Sequence, residues 1–202
     1  MFPGPGGIEV PITVHPRPLQ KEIAIWLLVA QNDEAFYYAG TQGYNVFTML
    51  YGINLEAMEK KIIRYRQGRQ DAGYDTDSGI VTLMLHTFVN NNISIVEEAV
   101  ENPFKDYIRS SLNAHVKAAI DQQKKDAESI GEEEKQKILN YAYQRYFKTS
   151  ALFGSVETCQ KFVDKAINIG VNDIACLVDF GVDYRQVKES LPYLRQLVAH
   201  YI

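Results

Sequence analysis

The sequence predicts an α/β fold made of four parallel βα units, and three observations carry that expectation. Short apolar runs rich in β-formers recur at Ile25–Ala30, Asn45–Leu50, Val81–Val89 and Ile174–Phe180. Their length and composition match strands covered on both faces. After each run comes a polar or glycine-bearing stretch, then residues at helical spacing. Strands and helices that alternate in this way fold as right-handed βαβ units around a parallel sheet.

In the first unit, Ile25-Trp26-Leu27-Leu28-Val29-Ala30 is the strand and Gln31-Asn32-Asp33-Glu34 the capping turn. Ala35-Phe36-Tyr37-Tyr38-Ala39 starts the helix, and Gly43 stops it. The second unit has its strand at 45–50 and a helix from about Asn54 to Gln67. Leu55, Met58, Ile62 and Tyr65 share one face of that helix, and Gly68 and Gly73 punctuate its exit. The third strand is Val81–Val89. Ser94-Ile95-Val96-Glu97 then has capping-box spacing and opens a short helix that Asn102-Pro103 ends. A further helix carries Phe104, Ile108, Leu112 and Val116 on one face.

Residues 121–137, dominated by Gln, Lys, Asp and Glu, read as a solvated surface connection. Apolar periodicity returns at Ile138, Leu139, Ala142, Tyr146 and Phe147. Ser155 caps an amphipathic helix that Gly170 stops. Ile174–Phe180 is the fourth strand, and Asp183 caps a helix interrupted by Pro192.

Ahead of the units, residues 1–22 form an edge strand and a Pro-rich lead-in, so the division is 1–22 and 23–202. Pro11 limits Ile8–Val14 to an edge, and His15-Pro16-Arg17-Pro18 stays out of helix. Such a lead-in reads as entry from the middle of a larger domain. Four units are half of a (β/α)8 barrel, whose full form needs about 250 residues.

A chain of 202 residues, 46% hydrophobic and 11% aromatic, can bury one sizeable core. Its net charge of -4, with both signs interspersed and no basic stripe, argues against nucleic acid. The longest apolar run, Ile23–Ala30, is far short of a bilayer span, and Met1–Gly7 has no signal-peptide pattern. Cys159 and Cys176 lie outside any CxxC pattern and read as buried, reduced thiols of a cytoplasmic protein. The four histidines are scattered without metal-ligand spacing, and GxSxG is absent.

Five stretches carry a family resemblance. They are Pro16-Arg17-Pro18 with Ile25-Trp26-Leu27; Val81 to Val89; Pro103-Phe104-Lys105-x-Tyr107-x-Arg109-Ser110-Ser111; Arg145-Tyr146-Phe147-x-Thr149-Ser150-x-Leu152-Phe153-Gly154; and Ile174 to Asp183. In this order the sequence resembles the bacterial luciferase-like flavin monooxygenases, and most closely the MupA-like branch associated with natural-product biosynthesis. The resemblance implies a partial TIM barrel, its second half only (strands five to eight), with a helical insertion after the third strand present here. It further implies a monooxygenase component that oxidises a small-molecule or carrier-bound biosynthetic intermediate with O2. Reduced FMN would come from a separate reductase, and segment 90–153 would be a lid over the barrel mouth.

By the same resemblance, Ala30, Gln31, Asn32 and Met49 are the cofactor-binding candidates. Ala35 stands where the family usually has threonine, which removes a phosphate hydrogen bond worth about 1.5–3 kcal/mol. His86 matches the family pattern and is a catalytic candidate, as a hydrogen-bonding group or proton donor at the mouth. Asp179, at the end of the fourth strand, is the other. Each has a plainer reading: Asn32 as a helix cap, Met49 and His86 as core residues, Asp179 as an ion-pair partner of Arg145.

With the first half of the barrel absent, the alternative function is a non-catalytic half-barrel remnant or interaction module. A half-barrel leaves two strand edges and one apolar face uncovered. The expected partner is therefore a separate N-terminal half-barrel chain, or a second copy forming a homodimer.

Overall fold

The computed structural model describes residues 2–13, 15–17, 19–20, 23–123 and 132–202, with only the backbone described at 111–123, 132, 134 and 135. A short antiparallel pair comes first, β1 (Phe2–Pro3) with β2 (Glu9–Val10). Then follow β3 (Trp26–Leu28), α1 (Asp33–Thr41), β4 (Asn45–Met49), α2 (Leu55–Asp71), β5 (Val81–Val89), α3 (Ile93–Gln123) and α4 (Glu132–Thr149). The chain ends with β6 (Leu152–Gly154), α5 (Val156–Asn168), β7 (Asp173–Leu177) and α6 (Tyr184–Val198).

Strands β3, β4, β5 and β7 lie side by side and parallel, with β5 paired to both β4 and β7. The four apolar runs therefore form one sheet, as the βα alternation predicts. The short β6 pairs with the last three residues of β5 and has no counterpart in the sequence reading.

Period-two burial shows which face is covered. In β4, Val46 and Thr48 are buried while Asn45, Phe47 and Met49 are only partly so. Registers set Val46 beside Val81 and Thr48 beside Leu83, so these side chains share a face. Phe36 and Ala39 of α1, Met58 and Tyr65 of α2, Ala166 of α5 and Leu197 of α6 close over that face in one aliphatic core.

The opposite face carries Trp26, Leu28, Phe47, Met49, Met84 and Leu177, and it lacks such a cover at its margins. Leu28 is 63% exposed and Trp26 42%. The expectation that all four strands are buried on both faces is thus corrected: only β5 is. β3 and β7 are the outer strands, with half-exposed patterns. β7 also stops at Leu177 rather than Phe180, and Cys176 is exposed where a buried thiol was expected, while Cys159 is buried.

Two glycines set the spacing of the first two helices. A Cβ on Gly68 would stand 2.2 Å from the Tyr37 carbonyl oxygen, and one on Gly40 would stand 2.3 Å from that of Tyr65. Gly68 therefore lies inside α2, at a backbone-to-backbone crossing with α1, and does not end the helix. Prolines mislead in the same way. Pro103 lies within α3 and Pro192 within α6. Val96, Val100, Phe104 and Ile108, on both sides of Pro103, bury in one cluster, which holds the helix through the missing N–H.

The caps at Asn32, Ser155 and Asp183 form as expected. At α3 the capping oxygen belongs to Asn92, which accepts from Ser94 N–H, so Ser94 is not the cap. Of the surface connection expected at 121–137, residues 124–131 lie outside the described residues, and the flanks are helical.

Candidate functional site

Where the parallel strands end, β5 continues past its neighbours to Val89, and α3 and α4 fold back over this extension. A cavity of about 530 Å3 lies between the strand ends and these two helices. Ala30, Met49, Met84 and His86 line it from the sheet, and Tyr51 and Gly52 from the turn after β4. The insertion contributes Phe104, Tyr107 and Ile108 from α3 and Ala142 and Tyr146 from α4. Among the described residues, no Lys, Arg, Asp or Glu lines the cavity.

His86 is the central polar group. It is 7% exposed, and its Nε2 is buried without a hydrogen-bond partner. Three rings meet it edge-on: Phe104 at 4.8 Å, Tyr107 at 4.7 Å and Phe180 at 5.5 Å between centroids. Burial lowers its pKa from 6.5 to about 4, so the imidazole is neutral at pH 7. The reading of His86 as a core histidine satisfied by backbone leaves Nε2 unexplained. Across the cavity, burial raises the Tyr146 phenol, with the Gly52 backbone N–H acting in the opposite direction.

The structure brings together three of the six sequence candidates, Ala30, Met49 and His86. Gln31 is adjacent: its side-chain amide donates to the Tyr51 carbonyl at 3.4 Å. Asn32 is exposed, and its side-chain oxygen is used in capping Glu34 N–H. Asp179 is exposed and outside the cavity lining, and it forms no ion pair with Arg145.

The turn at 31–34 is held from below. Lys61 donates to the Gln31 carbonyl at 2.5 Å and pairs with the Asp33 carboxylate, while Arg64 pairs with Glu34 at 3.0 Å. The α1 N-terminus thus has two acids in its first turn, and the nearby cations are engaged with them. Positive charge that would seat an external anion is already matched.

Sequence reasoning assigned no site role to Tyr51, Phe104, Tyr107 or Tyr146. A signal existed for the α3 pair, because Phe104, Tyr107 and Ile108 fall at i, i+3 and i+4 and so share a helix face. Tyr51 and Gly52 occupy the turn after a parallel strand, a kind of position not weighed after β4. Among the described residues, no helix is long and apolar enough to cross a membrane, and no group of His, Cys, Asp or Glu is arranged to hold a metal.

Parallel strands with helices on one face and a mostly apolar cavity at their carboxyl ends define an α/β protein with a candidate ligand site. The chain belongs to the luciferase-like monooxygenase family, whose model matches residues 8–173. Its fold is similar to that of the monooxygenase RslO1 from Streptomyces bottropensis, with a TM-score of 0.66 at 16% identity over 95% of this chain and 53% of that one. It is also similar to the oxygenating constituent of 3,6-diketocamphane monooxygenase from Pseudomonas putida, solved in complex with FMN (TM-score 0.62, 14% identity, 89% of this chain, 49% of that one). The coenzyme F420 dependent tetrahydromethanopterin reductase from Methanopyrus kandleri is a third such structure (TM-score 0.61, 17% identity, 89% and 51%). The chain spans about half the length of these proteins. Among curated proteins, none matches it in sequence.

Proposed function

We propose that the chain is a component of a luciferase-like, FMN-dependent monooxygenase that oxidises a small natural-product intermediate with O2. The observation that carries this reading is the cavity of about 530 Å3 at the strand ends, mostly apolar among the described residues and bordered by one buried, unpartnered imidazole nitrogen. Its size is ordinary for a small-molecule or cofactor site.

The residues present fit the ring system of a flavin. Ala30 leaves room beside the sheet, Met49 and Met84 supply adaptable, polarisable walls, and aromatic rings close the far side. The described residues do not provide a phosphate seat, since no cation among them lines the cavity and Lys61 is committed to Gln31 and Asp33. Riboflavin and FMN are therefore expected to bind alike.

When bound in reduced form, the flavin supplies the oxygen chemistry. The protein's own residues do the rest. Helices α3 and α4 cover the mouth and keep water out. Phe104, Tyr107 and Phe180 fix the His86 ring, and the neutral imidazole holds a hydrogen bond at Nε2 to the group that enters.

This reading includes a partner that covers the open sheet face, either a separate chain carrying the first four strands or a second copy of this one. Exposed Trp26 and Leu28 support it. Those same residues favour the alternative, a non-catalytic half-barrel that serves as an interaction module. An oxygen-electrode assay separates the two. The chain, with a co-expressed N-terminal half and a flavin reductase, should consume O2 in a chain-dependent way. No consumption above the reductase alone would leave the interaction module.

A further inference from the structure

The insertion side of the cavity has a chemistry of its own. Its walls are rings, with Phe104 and Tyr107 nearly parallel at 6.0 Å and 8°. Among the described residues no ionised side chain lines it, and Lys105 of α3 pairs with Glu101 at 2.6 Å outside the lining. The Tyr143 ring beneath it is raised to about 12 by burial, so that phenol stays protonated. Among the described residues a single side-chain atom is buried and unsatisfied, Nε2 of His86.

We infer that this side of the cavity binds an uncharged, ring-containing substrate through one hydroxyl, which hydrogen-bonds His86 Nε2. The inference rests on the monooxygenase reading only in calling the ligand a substrate. An unpaired buried polar atom is costly, and a hydroxyl can satisfy it as donor or acceptor, whichever tautomer the imidazole adopts. A carboxylate would enter a site with no cation in its described lining and an imidazole that burial keeps neutral, so it is rejected. Nε2 is shielded from solvent, and the rings of Phe104, Tyr107 and Phe180 pack edge-on against the imidazole, so an entering hydroxyl reaches it by a shift within that packing. The methionines on the sheet side accommodate varied ring shapes. Selectivity therefore comes from the hydroxyl and the absence of charge.

Naphthol, methylnaphthalene and naphthoate, titrated calorimetrically into the chain and its His86→Phe and His86→Gln variants, test this. Naphthol is expected to bind the native chain about tenfold more tightly than His86→Phe, in line with one hydrogen bond to a buried group. Methylnaphthalene should bind both equally, which also reports that the variant keeps its cavity. His86→Gln should recover part of the naphthol affinity, and naphthoate should bind at least tenfold more weakly than naphthol. Equal loss of naphthol and methylnaphthalene in His86→Phe, naphthoate binding as tight as naphthol, or no naphthol binding overturns the inference. The titration contains no flavin. A chain that quenches riboflavin but ignores the hydroxyl keeps the cofactor reading and loses this one; the reverse result does the opposite.

Discussion

The two hydrophobic clusters of the chain are made differently and serve different ends. The core between the sheet and helices α1, α2, α5 and α6 is mostly aliphatic, with Val46, Leu83, Leu85 and Ala166 at its centre, and Phe36 and Tyr65 as its buried rings. The cluster under α3 and α4 is built around rings. Phe104 lies within 6.5 Å, centroid to centroid, of His86, Tyr107, Tyr143, Tyr146, Phe153 and Phe180. Branched aliphatic side chains interdigitate and leave few voids. Rigid rings meeting edge-to-face leave gaps, and the cavity beside His86 is where this cluster is not filled. One cluster makes the scaffold and the other borders the cavity.

Removing the hub of the aromatic cluster should have the largest effect. Phe104→Ala is expected to cost about 4 kcal/mol in urea unfolding. Hydrogen exchange should then quicken in α3 and α4 while β4 and β5 stay protected. A uniform loss of protection would mean that the two clusters are one cooperative unit.

Acid provides the next test. The unfolded imidazole has the ordinary pKa of 6.5, and the folded one is depressed to about 4 by burial. The stability this gives is fully present above pH 6.5 and is lost as pH falls towards 4, by roughly 3 kcal/mol in all. Carboxylates titrate in the same window, so the readout is the difference between the native chain and His86→Phe. The variant should lose the steeper slope between pH 6.5 and 4. Parallel curves would show an imidazole that is not desolvated.

Gly68→Ala attacks the scaffold instead. With a Cβ aimed 2.2 Å from the Tyr37 carbonyl oxygen, α1 must move away from α2, at a cost of about 2 kcal/mol. Because α1 follows the turn at Ala30, naphthol binding should weaken as well. A stable variant with unchanged binding would separate scaffold and cavity more sharply than proposed. The smallest effect is at the α5 cap, where Ser155→Ala removes the acceptor for Thr158 N–H and should cost about 1 kcal/mol without altering ligand binding.

The difference between the clusters also explains what could be read from the sequence. Val81–Val89 was legible to the residue, because a strand buried on both faces is a continuous apolar run. Helix starts at Asn32, Ser155 and Asp183 were legible because a cap is local chemistry. Gly68, Pro103 and Pro192 were misread because tertiary contacts decide their roles, and their local propensities point the other way. Exposure of β3 and β7 was hidden too, since an apolar run does not say whether anything covers its second face. Of the site, Ala30, Met49 and His86 could be placed by the family resemblance, which maps them to strand ends. Tyr51, Tyr107 and Tyr146 could not, because they reach the cavity from separate elements brought together only by folding.

Fluorescence titration of riboflavin with the native chain and with Ala30→Trp, which fills the strand-end side of the cavity, tests most directly whether this space holds a flavin ring. Saturable quenching by the native chain, lost in Ala30→Trp, is the predicted result. Emission unchanged by the native chain, or quenched equally by both, would contradict it.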